Sequence, residues 1–414
     1  MIIGIDASFL RKPGTGIGAV TEQSLRVLSG LEDARQHKFI LYVDEYVDKS
    51  FLPANFEKHI FLPKWTRDDV PRRIMWERML AQKATEDGCD AFLSLSQSAT
   101  VFPKRSILRH LMVVHDIVPL LFPAYRGKFT HRWHARAIAR AISSAENIIA
   151  VSSTTKRDLE LNLGVQDERI TVAYPDCAPI FRTAIDPEIS ADVIRKYGLE
   201  RGYIYHGGGL EIRKNTERLL EAYATLIANG RDVPPLVISG KVYVKRNRLA
   251  TDVIRIIDRL KLTEHVMLLG FVPDEDLPAL YQNSLLFAFP SIYEGFGIPI
   301  LEAFAMGAPV LAGQNAGAVP EVTRDAALLV DPLNVASIAE GLARMIDDPE
   351  LRAKLSERGT ERMKDFSWTA FAQALLDGVV PKTLVAPTTV SASDDILGSG
   401  PASLPGNNGQ FPLT

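Results

Sequence analysis

Two sets of short apolar or aromatic runs, parted by segments long enough for a helix, constrain this chain more than any other feature. They occupy residues 2–6, 39–43, 91–95, 111–114, 148–151 and 170–173 in the first half, and 203–206, 236–239, 266–269, 286–289, 309–312 and 327–330 in the second. Most lack the apolar–polar alternation of a sheet with one wet face, so they read as strands covered on both sides. Strands alternating with helix-length segments make βαβ units and doubly wound parallel sheets. The expected fold is therefore α/β, with two Rossmann-like domains. The seam falls where Tyr174-Pro175-Asp176 and Pro179 break the pattern, giving domains of 1–180 and 181–365. Segment 186–197 reads as a helix leading into the second sheet. A last amphipathic helix lies within 366–380, around Trp368 and Phe371. Beyond Pro381 the chain turns to Pro, Ser, Thr, Gly and Asn with little to bury, which predicts a disordered tail over 381–414.

Composition excludes several classes. Of 414 residues, 46% are apolar and 23% charged, as in soluble globular proteins. A net charge of −3 argues against a nucleic-acid partner. The longest apolar run, 285–290, is far short of a membrane span. The opening Met1-Ile2-Ile3-Gly4-Ile5-Asp6 lacks a positive n-region, and Cys89 and Cys177 form neither a disulfide framework nor a CxxC pair. A cytoplasmic protein with reduced thiols is expected. Its charge is uneven. Across 104–140, Lys104, Arg105, Arg109, Arg126, Lys128, Arg132, Arg136 and Arg140 face a single acid, Asp116, with Phe122, Phe129 and Trp133 interleaved. A solvated helix face is one reading. The other is a surface for an anionic membrane or a pyrophosphate-bearing partner, with Arg126, Lys128, Arg132, Trp133 and Arg136 as the contact residues.

The strongest chemical signal follows the strand at 286–289: Pro290-Ser291-Ile292-Tyr293-Glu294-Gly295-Phe296-Gly297-Ile298-Pro299-Ile300-Leu301-Glu302. Pro299 suits a first helical turn, and Gly295 and Gly297 leave amides open beside the positive end of that helix. Such a loop, at the carboxyl end of a strand, invites a phosphate or a sugar hydroxyl. Glu294 and Glu302, with seven residues between them, can face one cleft and accept hydrogen bonds from the hydroxyls of a hexose and a ribose on either side of a diphosphate. As isolated residues they would be a loop acid and a favourable first-turn charge. The second element, His206-Gly207-Gly208-Gly209-Leu210-Glu211-Ile212-Arg213-Lys214-Asn215, also follows a strand and supplies two cations for a diphosphate.

Two further strand ends belong with these. Gly14-Thr15-Gly16-Ile17-Gly18 is spaced GxGxG rather than the GxGxxG of dinucleotide sites, so a cleft-lining turn fits better than NAD binding, and Asp44 has no fingerprint to make it a ribose ligand. His115, at the end of an apolar strand, could bond a sugar hydroxyl. The trio Asp274-Glu275-Asp276 precedes Leu277 and is explained by N-capping of a helix. No HExxH, Walker or GxSxG motif is present. Neither metal nor cofactor is expected.

In this order the elements resemble the retaining glycosyltransferases of family 4, with the GT-B fold, over about residues 1–380. Gly307-Ala308-Pro309-Val310, Pro320-Glu321-Val322 and Phe366-Ser367-Trp368 extend the likeness. The resemblance implies two domains facing a cleft, with the C-terminal helix crossing back to the first. It implies that Glu294 holds donor-sugar hydroxyls near the reacting carbon, that Phe296 and Ile298 present amides to sugar and phosphates, and that Glu302 binds the ribose. Arg213 and Lys214 would neutralise the leaving diphosphate, Gly16 would line the cleft near it, and His115 would contact the sugar. Many members carry an arginine where this chain has Gly208, and Arg213 would supply that charge here. The stretch from Val114 to Pro123 further resembles bacterial enzymes that move mannose from GDP-mannose to lipid-linked polysaccharide intermediates, implying a polyprenyl-diphosphate-linked saccharide acceptor at the inner membrane face. The alternatives are a UDP-sugar donor (glucose, galactose or N-acetylglucosamine), a nucleotide-binding dehydrogenase, or a scaffold without turnover. Intact Glu294, Glu302 and Lys214 oppose the last.

Overall fold

A computed structural model describes residues 1–12, 15–44, 50–60, 70–103, 108–127, 129–242 and 248–380. The tail expected at 381–414 lies outside the described residues, as do Lys104, Arg105, Lys128 and the side chain of Arg126.

Among the described residues the first half forms a seven-stranded parallel sheet: β1 (Ile2–Asp6), β2 (Lys38–Val43), β3 (Phe56–Ile60), β4 (Ala91–Ser94), β5 (Arg109–Val114), β6 (Asn147–Ala150) and β7 (Ile170–Val172), in the order β3-β2-β1-β4-β5-β6-β7. The second half forms a six-stranded parallel sheet: β8 (Tyr203–His206), β9 (Leu236–Ser239), β10 (Val266–Gly270), β11 (Ser284–Phe289), β12 (Val310–Gly313) and β13 (Ala327–Val330), in the order β10-β9-β8-β11-β12-β13. The two sheets reverse strand order at β1/β4 and at β8/β11, and crevices for ligands open at the carboxyl ends of strands at such points. The unexpected strand is β3. Its Glu57, Lys58 and His59 hide it from a search for apolar runs, and charge on an edge strand discourages pairing with other chains.

The helices that position the site are α1 (Gly16–Leu28), α2 (Val70–Glu86), α3 (Phe129–Ser144), α4 (Ser153–Leu163), α5 (Pro187–Lys196), α6 (Thr216–Ala228), α7 (Ile298–Ala305), α8 (Val319–Thr323) and α9 (Trp368–Val379). Side-chain caps start several of them: Thr15 accepts from the Gly18 amide, Ser152 from Thr155, Asp186 from Glu188 and Ser367 from Ala370. Such caps are worth about 1 kcal/mol each. Asp276 corrects an expectation. It occupies the N-cap position of the short helix Leu277–Gln282 but makes no side-chain cap bond. Its carboxylate instead accepts from Lys196 Nζ at 2.6 Å and Tyr197 Oη at 2.7 Å, tying that helix to the end of α5.

One apolar cluster runs through both halves, from Ile3, Leu41 and Val113 to Tyr205, Phe289, Phe296 and Ile300. Helix α9 belongs to it through Trp368, Phe371 and Leu375. This helix packs on α1 and on β4, β5 and β6, the carbonyl of Gly378 accepts from Asn147 Nδ2 at 2.9 Å, and Trp368 Nε1 donates to the Cys177 carbonyl at 2.7 Å. The C-terminal helix therefore crosses back to the first half.

Candidate active site

Buried strand β11 runs out at Phe289 and places Glu294 five residues on, between the two sheets. The Glu294 backbone is pinned by its amide to the Ala316 carbonyl and by its carbonyl to the Ala318 amide. Its side chain, 5% exposed, meets both cations of the β8 loop. Arg213 Nη1 donates to Oε2 at 2.5 Å, and Lys214 Nζ sits 2.9 Å from Oε1. The lysine thus forms a close, buried ion pair with Oε1. Burial raises the Glu294 pKa, but the Arg213 and Lys214 charges overcome it and hold the carboxyl near 2. Burial lowers Lys214, only partly offset by Glu294. For Arg213, burial is outweighed by Glu294 and Glu211, and the net shift is upward. Lys214 also stands over the Phe289 ring, 4.6 Å from its centroid. Truncating one member of such a buried set typically costs about 3–5 kcal/mol, because the others lose their partner.

Helix α7 begins just beyond. Gly297 precedes it at φ 111°, a conformation that favours glycine, and no side chain caps the helix. The amides of Gly295, Phe296, Gly297 and Ile298 donate no hydrogen bond among the described residues, which leaves a concentration of positive partial charge. Glu302 is half-buried, accepts from Tyr281 Oη at 2.8 Å and lies within the field of Lys214. Both acids thus feel the charge of the same lysine. Burial, with Asp274 adding repulsion, pushes the Glu302 carboxyl up to about 7, despite the opposing Tyr281 bond.

The first half closes over this loop. A Cβ on Gly295 would stand 1.9 Å from the His115 carbonyl oxygen, so only glycine permits the approach. The Gly295 carbonyl accepts from Ser152 Oγ at 2.7 Å and Thr155 Oγ1 at 3.3 Å. Phe296 stacks on Tyr174 and meets Phe366 edge-on. From α8, Glu321 accepts from the amides of Ser153 and Thr154 at 2.7 and 3.1 Å and from Tyr174 Oη at 2.8 Å. A second-half carboxylate thereby satisfies the N-terminus of first-half helix α4. Tyr293 donates to Asp158 and packs on Phe122.

His115, just past β5, bonds the Leu95 carbonyl through Nε2 at 3.0 Å. Burial pushes it below the ordinary histidine range, keeping it neutral. Gly16 is exposed at the start of α1 with nothing near its missing Cβ, whereas a Cβ on Gly18 would stand 1.9 Å from the Lys12 carbonyl oxygen. The close packing of that turn thus requires Gly18. Arg132, Trp133 and Arg136 are exposed on α3. Two partners escaped the sequence reading. Asp116 faces Arg213 and Glu294 electrostatically, and its place at the end of β5 could have signalled it. Tyr281, 21 residues before Glu302, left no local signal. A cavity of 570 Å³ adjoins the loop, lined by Ala124 from one half and Ile212, Asn215, Arg218 and Ile292 from the other.

Two Rossmann-like parallel-sheet domains that meet over the strand-end loop carrying Glu294 define the GT-B class. Known structures agree: WaaG, a glycosyltransferase involved in lipopolysaccharide biosynthesis, superposes with TM-score 0.71 at 18% identity, over 92% of this chain and 99% of WaaG. Residues 22–175 match the family described as Glycosyltransferase Family 4, and residues 194–362 that described as Glycosyl transferases group 1. O-antigen chain mannosyltransferase B of Escherichia coli is 33% identical over 262 residues, 63% of this chain and 67% of that protein. Serotype-specific mannosyltransferase WbdA of Escherichia coli is 28% identical over 64% of this chain, which spans about a third of it, 32%. The chain belongs to the family 4 glycosyltransferases. The dehydrogenase and scaffold alternatives fall with that assignment.

The Glu302 pKa gives a stability test. A carboxyl held protonated up to about pH 7, against its ordinary value of 4.5, binds more protons folded than unfolded, so its contribution to stability falls as pH rises through that window. Glu302→Gln removes the penalty. In denaturant unfolding the variant should gain on the wild type by about 2 kcal/mol between pH 5 and pH 8. An identical difference at both pH values would contradict the assignment.

Proposed function

We propose that this chain moves mannose from GDP-mannose, with retention of anomeric configuration, to a lipid-linked glycan in cell-surface polysaccharide assembly. The observation that supports it best is the Glu294 carboxylate, held between two buried cations beside the unpaired amides of α7. Both Escherichia coli relatives are named as mannosyltransferases, and the choice of sugar rests on them. Domain 181–365 binds the donor and domain 1–180 presents the acceptor.

The donor diphosphate takes Arg213 and Lys214 in exchange for Glu294. The phosphates complete their shell with the amides of Phe296 and Ile298, and Gly16 lines the cleft beside them. Glu294, released, accepts hydroxyls of the hexose near its reacting carbon. Gly295 and Gly297 keep the loop narrow enough for that approach. Glu302 accepts from the ribose, and neutral His115 bonds the sugar from the other half. The anomeric carbon–phosphate oxygen bond breaks while the acceptor hydroxyl oxygen bonds to the same face. The acceptor's proton passes to the departing phosphate oxygen. Two cations and a helix terminus supply the charge this leaving group requires, so the step needs no metal.

Acceptor delivery belongs to α3. Phe129, Arg132, Trp133 and Arg136 recur at helical spacing and are exposed, the pattern of a helix lying on an anionic surface. No described helix is long and apolar enough to cross a membrane. This face brings the enzyme to a polyprenyl-diphosphate-linked saccharide on the cytoplasmic leaflet, and Arg126 and Lys128 precede it in the sequence. Alanine at both Phe129 and Trp133 should weaken binding to anionic vesicles by about tenfold and spare binding of soluble donor. Unchanged vesicle binding would remove α3 from this role.

Kinetics test the donor site. Among GDP-mannose, UDP-glucose, UDP-galactose and UDP-N-acetylglucosamine, GDP-mannose should be hydrolysed fastest. Preference for a UDP-sugar would overturn the donor and leave the transferase class standing. Lys214→Ala and Glu302→Ala should chiefly raise KM for the donor, whereas Glu294→Ala should lower kcat by about a hundredfold. Unchanged constants in all three variants would overturn the site.

A further inference from the structure

The contacts of Glu321 converge on the loop that carries Glu294. Both of its carboxylate oxygens are taken by the first half. Oε1 accepts from the Ser153 amide at 2.7 Å and from Tyr174 Oη at 2.8 Å. Oε2 accepts from the Thr154 amide at 3.1 Å and from Thr154 Oγ1 at 3.3 Å. Bonds to an ionised acceptor are stronger than those between neutral groups. The base of the side chain is fixed as well. Buried Arg362 donates to the Glu321 carbonyl at 3.0 Å and to the Val322 carbonyl at 2.9 Å.

The two elements that Glu321 joins are the two that grip this loop. On one side stands the turn that opens α8. The Ala316 carbonyl accepts from the Glu294 amide at 3.2 Å, and the Ala318 amide donates to the Glu294 carbonyl at 2.9 Å. Between them Gly317, at φ 63°, lies so close that a Cβ would stand 2.3 Å from that carbonyl oxygen. On the other side stands the start of α4, where Ser152 Oγ and Thr155 Oγ1 donate to the Gly295 carbonyl. Two consecutive carbonyls are therefore held, one by the α8 turn and the next by α4. Glu321 runs from one holder to the other and closes the ring.

We propose that Glu321 is a positioning residue for sugar transfer: by tying α8 to α4 it fixes the two grips on the loop relative to each other, and so sets where Glu294 stands. That the place of Glu294 governs turnover rests on the transferase reading above. A misplacement of about 1 Å, even from a change far from the chemistry, can cost a hundredfold in rate. A residue that only capped α4 would stabilise that helix and leave the loop indifferent.

Glu321→Gln separates the two roles. It keeps the size of the side chain but turns one accepting oxygen into a donating NH2 group, so one of the two α4 amides meets a donor. Amide hydrogen exchange on the full chain should then quicken about tenfold at Ser153 and Thr154, and also at Glu294 and Ala318, which bond across the loop. Tyr174→Phe removes one bond to Glu321, and about twofold faster exchange at Glu294 is expected. That variant keeps the test open should Glu321→Gln fail to fold. Faster exchange confined to α4, or none at all, would overturn the proposal. With whichever of the four nucleotide sugars the wild type hydrolyses fastest, Glu321→Gln should lower kcat about tenfold. In a Glu294→Ala background it should change kcat less than twofold, because it acts through that carboxylate. A full tenfold loss in both backgrounds would mark a merely structural residue. Absence of any hydrolysis by the wild type would sink the donor reading, while the exchange result decides the role of Glu321 by itself.

Discussion

The buried contact of Glu294 with Arg213 and Lys214 is the interaction on which the rest of this structure depends. Two cations cannot be held away from water without an anion, and Glu294 supplies it. The arrangement joins the β8 loop to the β11 loop, the two strand ends that flank the reversal of the second sheet. In the proposed reaction a ligand with two negative phosphates takes the place of the carboxylate. The open amides before α7 lie beside the place where the proposed exchange begins.

The second constraint is closure. Gly295 lies against the His115 carbonyl, its own carbonyl is held from α4, and Glu321 caps that same helix from the other side of the seam. The loop that carries Glu294 is thus shaped by both halves. A few short polar contacts join the two halves there, and aromatic stacking of Phe296 on Tyr174 makes the seam partly apolar.

Much of this was legible in the chain itself. Runs such as 39–43 and 286–289 are apolar throughout because both faces of their sheets are covered, so pattern and strand coincide. Strand β3 was not legible, since an edge strand is free to carry Glu57 and Lys58. Glu294, Glu302, Arg213 and Lys214 could be chosen because each sits within a few residues of a strand end and a glycine. Their pairing could not, because nothing local says whether a cation meets a ligand or a carboxylate across the sheet. Asp276 shows the same limit: local rules made it a helix cap, while Lys196 and Tyr197, distant in sequence, claimed its oxygens.

The exchange of carboxylate for diphosphate can be measured directly. Calorimetry in the presence of a chelator would compare GDP with GMP for the wild type and for Lys214→Met. If the cations trade Glu294 for phosphate, the second phosphate tightens wild-type binding strongly and that advantage collapses in the variant. An equal GDP-to-GMP ratio in both proteins would show that the diphosphate never meets Lys214, and would contradict the account at its centre.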